Sequence, residues 1–308
     1  MILKSLFLLA SVTLGVIDSV VAVPHRRSNV VSSVPNFNDY SIGDAPDIYK
    51  LFSSPFSGCF GMYRDGTDCV AEKPNDSYIR QDPVSSSGTV MEINLRKGVY
   101  GTDDEGTGGQ YYTEEFSSSE FSDLTDATYE YEVYFPSTFE WTLGGKLPGM
   151  YGGSFDCSGG YKADGDDCFS TRLMWRENGE GEAYMYIPMT EQDDSFCAKC
   201  AYPVMENGCE SVSTCSLSRG AFSFQRGKFN KVKQYVKLNA VGENDGEFQL
   251  WINGAKVISE SLTYRTSEKL KLGGSFFSVF FGGSGNQYAP DNDNTILFKG
   301  FELTAGLA

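Results

Sequence analysis

Histidine is all but missing from this 308-residue chain: His25 is the single one, near the N-terminus. A Ser-His-Asp triad, a histidine general base and a histidine zinc site are therefore excluded for the folded domain. Proton transfer there falls to Tyr, Lys, Asp or Glu. Basic residues are also scarce, 25 against 41 acidic ones, which leaves a formal charge of −16. This balance argues against nucleic acid and anionic membranes as partners. Surface carboxylates are nevertheless screened within about 8 Å at physiological salt, so the charge lining a groove decides what the groove takes. Beyond residue 22 no apolar run is long enough to span a membrane. Long helical periods are missing too, whereas 34 glycines, 18 tyrosines and 22 phenylalanines suit a sheet-rich, turn-rich chain.

What is present at the N-terminus is Lys4 and an apolar run from Leu6 to Ala22, interrupted by Asp18 and closing on Val20-Val21-Ala22. Residues 1–22 thus read as a secretory signal peptide, and a secreted, extracellular protein is expected. Residues 23–54 form a polar arm. Within it, Arg26-Arg27 is either a dibasic site processed after Arg27 or simply two arginines in a flexible segment. Residues 55–308 are expected to form a single domain acting as a monomer. Eight cysteines behind a signal peptide imply four disulfides. Cys59 with Cys69 and Cys157 with Cys168 are local pairs. Cys197, Cys200, Cys209 and Cys215 pair among themselves in one of three connectivities. A redox or zinc half-site at Cys197-Ala-Lys-Cys200 lacks the surrounding βαβ pattern. Asn75-Asp76-Ser77 is a glycosylation sequon, as expected of a surface loop.

Strand signals are clearest from Ala127 onward, where Thr128 to Phe135 alternates glutamates with tyrosines and apolar residues. Ser170 to Arg176 and Glu182 to Met189 are joined by a Glu-Asn-Gly-Glu-Gly hairpin signal. Lys231 to Ala240, Glu247 to Ile252 and Ala255 to Ile258 are separated by Asn-Asp-Gly and Asn-Gly turns. Ser275 to Phe281 and Thr295 to Leu303 complete the set. The fold class is all-β, a two-sheet jelly roll of the concanavalin-like sandwich kind with disulfide-stapled loops.

Alternation along a strand puts Ser170, Arg172, Met174 and Arg176 on one face and Tyr184 and Tyr186 on one face of the next strand. The hairpin places those strands side by side, and Lys146, in Gly144-Gly145-Lys146-Leu147-Pro148-Gly149, is taken to arrive from a neighbouring strand end. These segments resemble polysaccharide lyase family 14, whose members are jelly-roll alginate and glucuronan lyases and whose fungal relatives carry GGKLPG and S-x-R followed by Y-x-Y. The resemblance runs from about Tyr129 to the C-terminus. It implies an active site of Lys146, Ser170, Arg172, Tyr184 and Tyr186, and cleavage of a uronic-acid polymer by β-elimination.

The chemistry agrees with that implication. Removing the proton at C5 of a uronate requires its carboxylate charge to be neutralised, and the guanidinium of Arg172 is shaped for that. Ser170 would add a neutral hydrogen bond. A tyrosine beside Lys146 and Arg172 is expected to have a lowered pKa and to serve as base, and also as acid where C5–H and O4 lie on one side of the ring. Tyr184 and Tyr186 are equal candidates, and neither a metal nor another cofactor is called for. Arg176, Lys233 and Tyr235 are expected to hold the acidic polysaccharide.

Plainer readings stand beside these. The stripe Lys228, Lys231, Lys233 and Lys237 is either a solvated face or the border of the groove. Arg172 and Arg176 are either site residues or surface partners of Glu180 or Glu182. The acidic turns at 103–105, 164–167 and 291–294 would offer oxygens to structural calcium, although none has EF-hand spacing. Glu130 or Glu132 with Glu182 is a nominal glycoside-hydrolase pair. A non-catalytic carbohydrate-binding protein on the same fold remains the alternative from outside the enzymes.

Overall fold

The computed structural model describes residues 29–34, 37, 40–43, 59–60 and 77–306, except 86, 102–106, 117–118, 202–208, 210–211 and 284. The expected signal peptide, Arg26-Arg27, Cys69, Asn75 and the acidic run at 103–105 lie outside the described residues. The strands are, in chain order, β1 (Asn29–Val34), β2 (Cys59–Phe60), β3 (Ser77–Gln81), β4 (Thr89–Leu95), β5 (Gly109–Tyr112), β6 (Asp126–Tyr134), β7 (Gly145–Leu147) and β8 (Gly149–Gly153). They continue with β9 (Cys168–Trp175), β10 (Glu180–Tyr186), β11 (Cys215–Ser223), β12 (Phe229–Lys237), β13 (Gly246–Ile252), β14 (Ala255–Leu262), β15 (Leu272–Phe281) and β16 (Asn294–Ala305). One α-helical turn, α1 (Asp194–Cys197), is present among the described residues.

The strands form two antiparallel sheets, the jelly roll expected from the alternation. The first runs β14-β13-β12-β6-β16-β4-β3, with β1 added on β16, and the second runs β11-β10-β9-β7-β15-β5-β2, with β8 paired to β15 and β9. The Asn253-Gly254 turn joins β13 to β14 with both residues at positive φ, 53° and 83°, the geometry a two-residue hairpin requires. The segment Asn29–Val34, inside the stretch read as a polar arm, instead adds a strand, pairing with Phe301–Ala305.

The two inner faces meet in an aromatic core. Leu173, Trp175, Ala183, Met185, Phe277 and Phe281 come from the second sheet, and Tyr131, Val133, Val232, Phe248, Phe298 and Leu303 from the first. Two polar side chains cross that core to one point. The Tyr131 hydroxyl and the Gln234 amide each donate to the carbonyl of Pro148 at 3.0 Å. Both donors are fully buried, so the carbonyl satisfies groups that would otherwise be costly to desolvate. It is thereby fixed at the junction between β7 and β8.

Disulfides join Cys157 to Cys168, as expected, and Cys197 to Cys209 and Cys200 to Cys215, which selects one of the three open connectivities. The expected Cys59–Cys69 pair lies outside the described residues, because Cys69 does.

The glycines around Lys146 have steric reasons. A Cβ on Gly145 would sit 2.1 Å from the Trp175 ring, and one on Gly149 would sit 2.3 Å from the Thr171 carbonyl and 2.6 Å from the Arg172 Cα. Strand β7/β8 can therefore close on β9 only without side chains at these two points. Gly149→Ala is expected to lower folding stability by about 1–3 kcal/mol through backbone displacement, read as a drop in thermal midpoint by circular dichroism. An unchanged midpoint would show that the close approach is not constraining.

Candidate active site

Across the outer face of the second sheet, β7, β9 and β10 bring the sequence-predicted set together. Lys146 pairs with Met174, Arg172 with Tyr184, and Ser170 with Tyr186. Their sequence neighbours Leu147, Leu173, Ala183 and Met185 point into the core, which fixes the lysine, arginine and tyrosines on the opposite face. The Pro148 anchor and the two glycines hold β7 at the height that delivers Lys146 to its place. The arrival of this lysine, assumed from sequence, is thus a consequence of strand pairing.

Lys146 is only 7% exposed and Arg172 1%, and neither makes an ion pair. The Lys146 ammonium position lies 2.8 Å from the Met174 sulfur and 3.2 Å above the centre of the Tyr184 ring. Burial pushes its pKa well below that of an ordinary lysine, and the guanidinium groups of Arg172, Arg176 and Arg219 push the same way. The carboxylate of Glu182 opposes them, and burial wins. Burial thus makes this lysine easier to deprotonate than an ordinary one.

The Arg172 guanidinium is packed against the rings of Phe276, 4.4 Å away, and Tyr186, 5.3 Å away. It donates one hydrogen bond, from Nη1 to the Ser278 hydroxyl at 3.3 Å, while buried Nε and Nη2 have no partner. An uncompensated buried charge costs several kcal/mol, and nitrogens left open in such a place suit a carboxylate that accepts from the fork.

The tyrosines depart from expectation in one respect. The Tyr184 phenol is pushed up to about 12, not down. Burial and the adjacent Tyr186 outweigh the Thr214 hydrogen bond and the Arg172 charge. Tyr184 is thus held as a phenol, a proton donor, and the expectation of a lowered pKa is corrected for this tyrosine. The Tyr186 hydroxyl accepts from the backbone N–H of Gly160 at 2.9 Å. Ser170 is fully buried and donates to the Cys157 carbonyl at 2.7 Å. Its proton is committed to the stapled loop at 157–168 and is not free for a sugar.

Glu182, two residues before Tyr184 on the same face, is fully buried at the centre of a charge network. It accepts from Arg176 Nη2, from the Ser216 hydroxyl at 3.1 Å and from Arg219 Nε at 2.6 Å. Arg176 therefore has the carboxylate partner that the plainer reading gave it, although buried beside the site and not on the surface. Alternation alone places Glu182 on the tyrosine face. Met174 as the lysine's contact, and Arg219, were missed. Nothing in the spacing of Arg219 pointed to Glu182.

Two expected binding residues lie elsewhere. Lys233 and Tyr235 are on β12, whose inward residues are Val232, Gln234 and Val236, so they face outward from the first sheet. There Lys233 pairs with Glu130 at 3.6 Å and Tyr235 hydrogen-bonds Asp126 at 3.3 Å. Lys231, Lys233 and Lys237 of the lysine stripe are ion-paired on this outer face. The same placement separates Glu130 and Glu132 from Glu182 by the thickness of the sandwich, which removes the glycosidase pair. The Asp164 carboxylate caps the backbone of its own turn at Asp166 and Asp167. Among the described residues the one grouping with metal-ligand spacing is Cys157, Asp167 and Cys168, whose thiols form a disulfide. A cleft of about 500 Å³ lined by Tyr78, Arg96, Phe139 and Asp293 shares no residue with the lysine–tyrosine cluster.

Comparison with known proteins agrees with this geometry. The family model for polysaccharide lyase 14 matches residues 83–301. The marine PL-14 alginate lyase from Aplysia kurodai is 31% identical, with a TM-score of 0.68 over 89% of this chain and 98% of its own. The alginate lyase vAL-1 from Chlorella virus shares the fold at 18% identity, with a TM-score of 0.62 over 90% of this chain and all of its own. Exolysin of Paramecium bursaria Chlorella virus 1 is 25% identical over 235 residues, 68% of this chain but 34% of that protein. The chain thus spans about a third of the length of that curated relative. A buried lysine, an unpartnered arginine and a protonated tyrosine on a jelly-roll face, with a family match over most of the chain, make this protein a polysaccharide lyase belonging to polysaccharide lyase family 14.

Proposed function

We propose that the chain is a secreted enzyme that cleaves a uronic-acid polymer of the alginate or glucuronan type by β-elimination. The observation that carries this reading is the fork of Arg172. Two of its nitrogens are buried and unpartnered, next to a lysine whose pKa burial lowers and a tyrosine whose pKa burial raises. A uronate carboxylate accepting from Nε and Nη2 would lose its charge's effect on the adjacent C5 proton. The disulfides support an oxidising, extracellular setting.

In this mechanism the Lys146 amine takes the C5 proton. The electron pair of that bond forms the C4–C5 double bond, the C4–O4 bond breaks, and O4 takes the Tyr184 hydroxyl proton. Lys146 ends as ammonium and Tyr184 as phenolate, and one proton passed between them restores both. The amine lies against the Tyr184 ring at 3.2 Å, so acid and base attack from one side, as required where C5–H and O4 are on the same face of the sugar. Arg172 supplies the positive charge, and no metal ion enters the scheme. Tyr186 packs against Tyr184, ring centres 5.6 Å apart, and supports it.

The product carries an unsaturated uronate that absorbs in the ultraviolet. Incubation with glucuronan, alginate and pectate is expected to raise that absorbance with at least one polymer. Lys146→Ala and Tyr184→Phe are each expected to lower the rate by about 10²–10⁴ while leaving the circular dichroism spectrum unchanged. Saturated reducing ends, or binding without product, would refute the elimination.

The pH profile follows from the two shifts. The base works only when deprotonated, so kcat/KM rises as pH passes Lys146's depressed pKa, below the ordinary lysine value of 10.5. The acid works only when protonated, so the falling limb belongs to Tyr184 at about 12, above the ordinary tyrosine value of 10.0. No decline is expected up to the ordinary tyrosine range. A falling limb at or below it, with the fold intact, would show that Tyr184 with its raised pKa is not the acid.

A further inference from the structure

Where β10 meets β11 the pairing breaks in an unusual way. Gly181 pairs with Phe222 and Ala183 with Leu217, so residues 218–221 of one strand stand opposite Glu182 alone. Ser218, at φ 52°, and Gly220, at φ 79°, both take left-handed conformations inside this bulge. A non-glycine residue in that region costs of order 1 kcal/mol and persists only where its surroundings hold it. They do so here: the Ser218 N–H donates to the Lys199 carbonyl at 3.1 Å, Cys200 bridges to Leu217, and the Cys200–Cys215 disulfide ties the start of the strand. The effect of the bulge is to fold Arg219 back over Glu182.

Glu182 alone does not account for this arrangement. Its carboxylate is already held by Arg176 and Ser216, and adding Arg219 leaves two guanidinium groups on one carboxylate. The Arg219 side chain is 31% exposed above a Glu182 that is wholly covered, so the surplus charge lies on the solvent side of the network. The opposite end of the tyrosine face is covered by the stapled loop at 157–168, which touches Ser170 and Tyr186. Asp156, Asp164, Asp166 and Asp167, against Lys162 and the Lys269 that pairs with Asp166 at 3.1 Å, leave that end net negative. A polyanion lying on this face meets attraction at one end and repulsion at the other.

We propose that Arg219 is a specificity-determining residue, which takes the carboxylate of the sugar next to the one cleaved. The polymer then extends from Arg172 toward the Arg176–Arg219 edge, not over the loop at 157–168. The inference rests on the lyase reading above but concerns a different contact. It predicts a preference for substrates whose neighbouring sugar is also a uronate.

The test compares wild type, Arg219→Gln and Arg219→Lys on a length series of oligouronates and the parent polymer, with kcat and KM read from the new double bond. In Arg219→Gln, KM on the polymer is expected to rise about tenfold, the scale of one charge-assisted contact. The loss should shrink toward the shortest oligomer cleaved, and Arg219→Lys should recover part of it. An equal fall in kcat at every length would overturn the inference, leaving Arg219 as a counter-ion of Glu182, and so would no change at all. Should the wild type form no unsaturated product from any acidic polysaccharide, the lyase reading fails separately. Calorimetric binding of an oligouronate then decides the role of Arg219, with about tenfold weaker binding expected in Arg219→Gln and equal binding refuting it.

Discussion

Two groups that carry positive charge in water, Lys146 and Arg172, are buried on one sheet face without an ion-pair partner among the described residues, and most of the site follows from that. The cost of desolvating a cation can be met in two ways, and the pair uses both. A lysine can give up its proton, and burial favours that loss even though the Tyr184 ring face beneath it would attract an ammonium. An arginine cannot deprotonate, so it retains its charge with two nitrogens unpartnered. The same burial lowers the pKa of Lys146 and raises that of Tyr184, the directions that the proposed base and acid need. The arginine's need for an anion and the neutral acid–base pair beside it are one consequence of excluding water.

This arrangement is stabilised from behind. The Pro148 carbonyl, held by Tyr131 and Gln234 from the other sheet, sets the β7–β8 junction two residues after Lys146. The absence of side chains at Gly145 and Gly149 lets that junction close on Trp175 and Arg172. The hydrophobic core thus positions the site as well as supplying stability. Disulfides act at the edges, where packing is thinner: one staples the loop that binds Ser170 and Tyr186, and another fastens the strand that carries Arg219.

Much of this was legible in the chain. Period-two alternation placed Ser170 and Arg172 on one face and Tyr184 and Tyr186 on the neighbouring one, and the hairpin between them follows from local turn chemistry. The direction of the tyrosine shift was not legible. It is decided by how deeply the phenol is buried, which depends on strands far away in sequence, and not by the nearby cations that sequence reveals. Lys233 and Tyr235 failed for another reason: alternation tells which residues share a face, but not which of the two sheets that face belongs to. Arg219 was hidden because a bulge breaks the period from which faces are read. Ser170 kept its predicted place, but its proton goes to a loop carbonyl whose position only the folded disulfide fixes.

The overall charge of −16 does not by itself bar a polyanion from the proposed site. Carboxylates are spread over the outer surfaces, many of them paired with lysines as at Glu130 and Glu247. At the site, Glu182 is enclosed by Arg176 and Arg219 and its field is largely cancelled. Arg172 is the most deeply buried guanidinium on that face and has no carboxylate partner among the described residues. Within a Debye length a buried charge outweighs many screened ones, and its effect is directional because the guanidinium is fixed by stacking on both sides. An acidic molecule can therefore present a cation to an acidic sugar, provided the cation is buried and the acids are not.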